Sequence, residues 1–256
     1  MKLRVLLTND DGIDAPGLVE LERAFSDADY EVVVAAPDQE RSGASHSLSL
    51  RHMLRVYHCG NGRYSLSGTP VDCVHIAVNN ILRDRTPDLV ISGINRGANL
   101  GCDVNYSGTV AGAREAAMLG IPSFAVSLDT TKEDPDFREA SKYALRVVKL
   151  LQDDEPSPRT FLNINVPDLP AGEIKGVKVT TQGIRKYDKI IHVQEDPFGN
   201  PTYWLGGAII GGENIPGSDI VAVEDGYVSI TPLRLDLTRK AEYERLREKL
   251  SMEEWS

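Results

Sequence analysis

Short apolar runs alternate with stretches of helical spacing along most of the chain. Residues 3–8 (LRVLLT) predict a buried strand, residues 15–27 predict an amphipathic helix, and residues 30–37 predict a second buried strand. A strand, a helix and a strand in such close succession are typical of a parallel sheet with right-handed crossovers.

The same alternation continues downstream. Helical spacing recurs at 70–82, 108–120 and 137–151, and apolar strand runs recur at 87–92, 122–127 and 160–167. Two shorter runs, MLRVYH and GRYSLS, lie within 47–67 and predict a hairpin inserted into the alternation. The pattern indicates an α/β fold with a Rossmann-like, mostly parallel sheet flanked by helices.

Beyond residue 170 the pattern becomes richer in strands. Strands are expected within 174–183 and 226–233, and a charged helix with a thin apolar stripe is expected at 237–250. Residues 185–207 predict a hairpin arm around the turn-rich DPFGNP, with Tyr203 and Trp204 as packing or oligomer contacts. We therefore expect a catalytic core at 1–180 and, at 181–256, an extension with an oligomerisation hairpin and a terminal helix.

The composition limits the class of protein. Apolar residues make up 41% of the 256 residues, which is sufficient for a sizeable core. The 28 basic and 38 acidic residues give a formal net charge of −10. Proteins that bind nucleic acid or membrane surfaces usually present a basic face, so neither partner is expected. A small anionic substrate is compatible with this charge, because one metal ion or helix end reverses the local field.

The cysteines and the N-terminus bear on the cellular compartment. Cys59, Cys73 and Cys102 are odd in number and lack Cys-x-x-Cys spacing, which favours free thiols over a disulfide framework or a zinc site. The chain begins with Met-Lys-Leu-Arg directly before a strand, and no apolar run is long enough to span a membrane. We expect a cytoplasmic protein without a signal peptide.

Oxygen-bearing side chains follow three of the predicted strands. Asp10 and Asp11 come directly after the first strand. Ser42 follows the second strand, and Asn95 follows the strand at 87–92. Ligands of open parallel sheets bind beyond the carboxyl ends of the strands, so these side chains are expected at one edge. Their hard oxygens suit Mg²⁺ or Mn²⁺ rather than zinc, and a divalent cation would offset the repulsion between adjacent carboxylates.

Each of these residues also has an ordinary structural role to weigh. An aspartate after a strand often caps the next helix, and Asp10 or Asp14 is placed to do so. Ser42 and Asn95 are also common turn residues. The Asp-Asp-Gly triplet at this edge favours the functional interpretation.

The start of the helix at 108–120 is a candidate anion site. Ser107, Gly108 and Thr109 lie where free backbone N–H groups and the positive end of a helix dipole are expected. Taken alone, a serine or threonine here is an ordinary helix cap, but beside a metal it predicts a seat for phosphate.

Other catalytic motifs give weaker signals. His75 falls on a predicted helix, which favours a structural role, whereas the role of His46, near Ser42, stays open. No Gly-x-Ser-x-Gly elbow is present, and GANLGCDV lacks the Lys-Ser/Thr ending of a Walker sequence.

Six long segments, in order along the chain, carry a resemblance to a known family. They are TNDDGIDAPGL, PDQERSGASHSLSL, GTPVDCVHIA, DLVISGINRGANLG, YSGTVAGAREAAMLGIPSFAVS and GYVSITPL. Together they resemble the SurE family of stationary-phase survival proteins, which act as 5′- and 3′-nucleotidases. The similarity extends from residue 3 to about residue 235, and the final helix is its least informative part.

The resemblance implies metal-dependent hydrolysis of nucleoside monophosphates on a Rossmann-like core. Short polyphosphate is a further candidate substrate. One Mg²⁺ or Mn²⁺ per subunit is expected, and an extended arm is implied in assembly of a homodimer or tetramer. The metal ligands of the family match Asp10, Asp11, Ser42 and Asn95, with no departure at these positions.

The expected chemistry follows from that match. Asp10 and Asp11 are the expected catalytic residues, and five residues are expected to contact phosphate, namely Gly43, Asn99, Ser107, Gly108 and Thr109. An in-line water, activated by the cation or by an aspartate, and an aspartyl-phosphate intermediate are both open.

Two alternatives from other classes stand beside this interpretation. A receiver-like signalling domain also binds Mg²⁺ through an acidic pair. Such a domain needs a phosphorylatable aspartate where this chain has Asn95, and it is much shorter than 256 residues. A non-catalytic nucleotide-binding protein is compatible with the composition, and a turnover assay separates it from an enzyme.

Overall fold

The strands build one large sheet and two small ribbons in the computed structural model, which describes residues 2–153, 157, 159–188, 190–205 and 209–251. The strands are β1 (Arg4–Thr8), β2 (Glu31–Pro37), β3 (Val56–Gly60), β4 (Arg63–Leu66), β5 (Leu89–Arg96), β6 (Ser123–Asp129), β7 (Thr160–Pro167), β8 (Val177–Val179), β9 (Arg185–Tyr187), β10 (Ile191–Glu195), β11 (Pro201–Leu205), β12 (Ile209–Gly212) and β13 (Val228–Arg234). Nine of them form one sheet in the order β3-β4-β2-β1-β5-β6-β7-β13-β8.

The helices cover both faces of this sheet. They are α1 (Pro16–Asp27), α2 (Pro70–Ile76), α3 (Gly108–Met118), α4 (Arg138–Asp153), α5 (Asp219–Glu224) and α6 (Lys240–Ser251). α1 and α4 pack on one face, against side chains that include Val5 and Leu7. α2 and α3 pack on the other face, against side chains that include Leu6. Strand β1 is therefore apolar at successive positions because both of its faces are buried.

Strand β1 lies at the point where the order of the parallel strands reverses. It pairs in parallel with β2 on one side and with β5 on the other. The chain thus leaves β1, β2 and β5 at the same edge of the sheet, in loops that diverge at a natural crevice. The predicted oxygen donors all follow or end these three strands.

The α/β architecture predicted from the sequence is confirmed, with differences at individual elements. The helix predicted at 70–82 ends at Ile76 and continues as a π-helical turn over Ala77–Ile81. The hairpin expected within 47–67 is β3–β4, and β4 extends the sheet parallel to β2. The run at 174–183 yields only the short strand β8, and α5 was not predicted, because six residues are too few for a periodic signal.

The arm differs from the expected single hairpin. β10 and β11 pair antiparallel around the DPFGNP turn, as predicted, but β9 pairs with β12. The arm therefore has a base, the β9–β12 ribbon, and a tip, the β10–β11 ribbon. The base of the arm contributes residues to the crevice at the carboxyl ends of β1, β2 and β5.

The boundary drawn at residue 180 does not coincide with a boundary of the sheet. β13 comes from beyond that residue and lies between β7 and β8, antiparallel to β7. Within the described residues, no helix has both the length and the apolar character needed to cross a bilayer.

Close packing of α1 on β5 gives a testable prediction for Gly17. A Cβ placed there would lie 2.0 Å from the Ile94 carbonyl oxygen and 3.2 Å from Phe137 Cε1. We expect Gly17→Ala to lower the free energy of unfolding in urea by about 1–3 kcal/mol through overpacking. Gly172→Ala is the matched control, because its Cβ would meet open space, and it should change that free energy by less than about 0.5 kcal/mol. Equal stability of the two variants would contradict this packing.

Candidate functional site

A cleft of about 500 Å³ opens at the carboxyl ends of β1, β2 and β5. All four predicted metal ligands line it, together with three of the five predicted phosphate residues, namely Gly43, Asn99 and Ser107. Glu40, Arg96, Asp103, Tyr106, Arg185, Tyr187 and Ile209 complete much of its wall. The structure therefore brings residues from three loops and from the base of the arm into one crevice.

Asp10 forms the floor of the cleft and is only 4% exposed. Burial raises the pKa of its carboxyl, and a hydrogen bond from the Thr109 hydroxyl acts in the opposite direction. The backbone amides of Gly108 and Thr109 also favour the ionised form of Asp10. A Cβ at position 108 would lie 2.8 Å from Asp10 Oδ2, so glycine allows the helix start to approach the carboxylate.

Two of the predicted phosphate residues, Gly108 and Thr109, interact with Asp10 in the structure. Thr109 is fully buried, and its hydroxyl is bonded to Asp10 rather than open to the cleft. The start of α3 thus supports the ionised carboxylate of Asp10 through its dipole and amides. Ser107 caps the same helix by accepting a hydrogen bond of 3.0 Å from Val110 N.

Asp11 is the second acidic group, and its pKa is raised to about 6. Burial is the largest cause, followed by the charge of Asp10, and Glu40 adds a further negative charge. The backbone and the guanidinium of Arg96 act in the opposite direction. The net raised pKa shows that the ionised pair lacks sufficient positive charge from the protein itself.

Ser42 and Asn95 add neutral oxygens to the same rim. The Ser42 hydroxyl donates to Glu40 Oε1 over 2.7 Å. Asn95 Nδ2 donates to the Gly97 carbonyl over 2.8 Å, so its amide oxygen is the group available to a cation. Neither Asp10 nor Asp14 caps α1, which begins after Ala15 without a side-chain cap.

These donors fit a hard divalent cation. The carboxylates of Asp10 and Asp11, both with raised pKa values, would be favoured in their ionised form by a nearby double positive charge. The cleft offers carboxylate, hydroxyl and amide oxygens, which are the donors that Mg²⁺ and Mn²⁺ prefer. Over the described part of the chain, no group of three or more His, Cys, Asp or Glu side chains is placed to hold a metal ion. A site with two carboxylates and two neutral oxygens is compatible with that finding.

Asn99 lies at the back of the cleft, within a buried amide network. Its backbone N–H donates to Asn165 Oδ1 and its Nδ2 donates to Ser127 Oγ, both over 2.8 Å. Its carbonyl accepts from Asn163 Nδ2 over 2.8 Å. The side chain is therefore used to hold the loop after β5 against β6 and β7, a role that the sequence did not indicate.

A second buried network holds the loop that carries Ser42. Glu115 of α3 is 6% exposed and bonds His46 Nε2 at 3.0 Å and His75 Nδ1 at 2.9 Å. Burial raises the pKa of Glu115, but the two histidines lower it by a larger amount, so the net shift is downward. His75 is structural, as its helical position suggested, and His46 ties its loop to α3. The signal for this network in the sequence was Glu115, which stands beside Arg114 on a stretch of helix whose other residues are small or apolar.

Comparison with known proteins identifies the family of this chain. The model of the family described as "Survival protein SurE" matches residues 5–189. A protein of Citrifermentans bemidjiense named 5′-nucleotidase SurE is 46% identical over 245 residues, which cover 96% of this chain and 98% of that protein. A protein of the same name from Stenotrophomonas maltophilia is also 46% identical, over 95% of this chain and 94% of its own.

Similarity also extends to a solved structure. The crystal structure of a SurE protein from Aquifex aeolicus superposes with a TM-score of 0.85 at 43% identity, covering 96% of this chain and 98% of that one. With a family match over residues 5–189 and relatives that are similar along nearly the whole chain, the protein belongs to the SurE family.

Proposed function

We propose that the protein is a metal-dependent phosphatase that hydrolyses nucleoside monophosphates to nucleoside and phosphate. The observation that carries the proposal is the Asp10–Asp11 pair, buried at Asp10 and partly buried at Asp11, whose pKa values are raised in a cleft of hard oxygen donors. The relatives named 5′-nucleotidase SurE support the nucleotide as substrate. Nucleoside 3′-monophosphates and short polyphosphate are proposed as further substrates, and the cytoplasm as the compartment.

One Mg²⁺ or Mn²⁺ per subunit would be held by Asp10, Asp11, Ser42 and Asn95. When bound, the cation neutralises charge on the phosphoryl group in transfer. Asp10 is fixed by the Thr109 hydroxyl, whereas the hydrogen bond that favours ionised Asp11 comes from the backbone of Arg96. We propose Asp11 as the aspartate that accepts the proton of an attacking water.

Hydrogen-bond donors at the rim of the cleft would orient the phosphate. Gly43 has a φ of +71° and open space around its Cα, so a ligand can approach the backbone closely there. Ser107, at the start of α3, lines the cleft beside Asp10. The Ser107 N–H already donates to the Asp103 carbonyl over 3.0 Å, and the Ser107 hydroxyl oxygen accepts from Val110 N. The Gly43 N–H and the hydroxyl hydrogen of Ser107 are therefore proposed to donate to the phosphate oxygens that do not face the cation.

Activity should depend on the acidic pair and on the metal. Phosphate release from a nucleoside 5′-monophosphate should stop on chelation and return with Mg²⁺ or Mn²⁺. Asp11→Asn should lower kcat/KM by at least about 10²-fold, because it removes a charge that holds the cation. Asp14→Asn is the matched control, since Asp14 is exposed on the same loop outside the cleft, and it should retain activity.

Colorimetric phosphate release, with circular dichroism to check the fold, measures both effects. Chelator-resistant turnover, or near wild-type turnover by Asp11→Asn at saturating metal, contradicts the proposal. Nucleotide binding without turnover would instead favour a non-catalytic binding protein.

We further propose that the protein assembles as a homodimer or a tetramer. The tip of the arm exposes large apolar side chains, including Val193, Phe198, Tyr203 and Trp204, and Trp204 is 75% exposed. An isolated two-stranded ribbon is marginal in water, so its apolar groups need a surface to cover them. α6 has no buried residue in the single chain, so its apolar side chains also need a surface to cover them.

The assembly prediction follows from that exposure. Replacement of 188–203 by a short Gly-Ser bridge should lower the mass measured by light scattering at micromolar concentration, whereas Mg²⁺ binding to the cleft should persist. Trp204→Glu, a milder change on β11, should weaken assembly in the same direction. A monomeric mass for the intact chain would rule out this proposal.

A further inference from the structure

We infer that the cleft contains a nucleoside subsite in which the nucleobase stacks on the ring of Tyr106. The inference rests on the proposed function, because it assumes that the phosphate lies at Asp10 and Asp11. Tyr106 lines the same cleft and is 68% exposed. An accessible aromatic ring is a general platform for bases, since each base has a flat face to stack on it.

The backbone of Tyr106 is fixed at the phosphate end of the cleft. Its N–H donates to the Asp103 carbonyl over 2.9 Å, and its own carbonyl accepts from Ser45 N over 3.0 Å. The next residue, Ser107, caps α3 beside Asp10. The backbone that carries the ring is therefore held between the loop of Ser42 and the start of α3, one residue from the expected position of the phosphate. This placement suits a ligand that joins a phosphate to a flat group.

Another part of the cleft wall comes from the base of the arm, where the charged side chain of Arg185 already has a partner. Arg185 Nη1 lies 2.5 Å from Asp103 Oδ2, and both side chains are mostly buried. The Tyr187 hydroxyl donates to the other oxygen of Asp103. Because Arg185 is occupied by Asp103, it is not a free cation for a second phosphate group.

The surfaces left on that wall are therefore aromatic and apolar. The hydrogen bond to Asp103 and partial burial raise the pKa of Tyr187 to about 12, so the phenol is neutral at physiological pH. Ile209, on β12, is exposed at the same wall. A neutral, partly apolar wall favours an uncharged nucleoside over a further phosphate. The cleft volume of about 500 Å³ is within the range of small-ligand sites.

Selectivity between two substrates tests the subsite. The readout is the ratio of kcat/KM for adenosine 5′-monophosphate to kcat/KM for ribose 5-phosphate, which keeps the phosphate and the sugar but lacks the base. Tyr106→Ala should lower this ratio about tenfold, mainly through a higher KM for the nucleotide, as expected for loss of one stacking partner. Tyr106→Phe should restore the ratio, because the ring face is preserved.

Tyr57→Ala provides the matched control. Tyr57 is also an exposed tyrosine, but it lies on the edge strand β3 outside the cleft, and its removal should leave the ratio unchanged. A ratio within twofold of wild type in Tyr106→Ala, or an equal loss in Tyr106→Phe, would overturn the subsite. Failure of the proposed function is distinct from both, because the wild-type protein would then release no phosphate from either substrate.

Discussion

The placement of two adjacent carboxylates, one buried and one partly buried, is the constraint on which the rest of the site depends. Asp10 and Asp11 follow the central strand β1 directly, at the edge where the sheet order reverses. Removal from water raises the pKa of both, and the charge of Asp10 further opposes ionisation of Asp11. The Thr109 hydroxyl and the backbone amides at the start of α3 offset only part of the free-energy cost of ionising Asp10. The remaining deficit of positive charge is the physical reason to expect a cation in the cleft.

Buried polar networks outside the cleft keep its loops in place. Glu115 fixes the Ser42 loop through His46, and the amides of Asn163 and Asn165 fix the loop after β5 through Asn99. Such networks are specific because an unpaired member would be costly in a dry interior. The hard-oxygen rim is thus assembled largely from loops that hydrogen bonds hold against the helices and strands of the core.

The sequence predicted most of this arrangement wherever the signal was local. Buried runs predicted the sheet, including β7 at 160–167, and the change from apolar to acidic residues after β1 indicated the site. Contacts between distant segments had no such signal. His46 and Glu115 are 69 positions apart, and Asp103 and Arg185 are 82 positions apart. The pairing of β9 with β12 was missed for the same reason, because strands of three and four residues carry too little periodicity to predict a partner.

Thermal unfolding of wild type and Asp11→Asn at pH 8, each in chelator and in excess Mg²⁺, tests the central claim most directly. In chelator, Asp11→Asn should melt about 2–4 °C above wild type, as expected for relief of about 1 kcal/mol of unfavourable ionisation. In Mg²⁺ the order should reverse, because only the wild-type pair gains a bound counter-charge. An Asp11→Asn protein that is less stable in chelator, or an equal effect of Mg²⁺ on both proteins, would contradict the account.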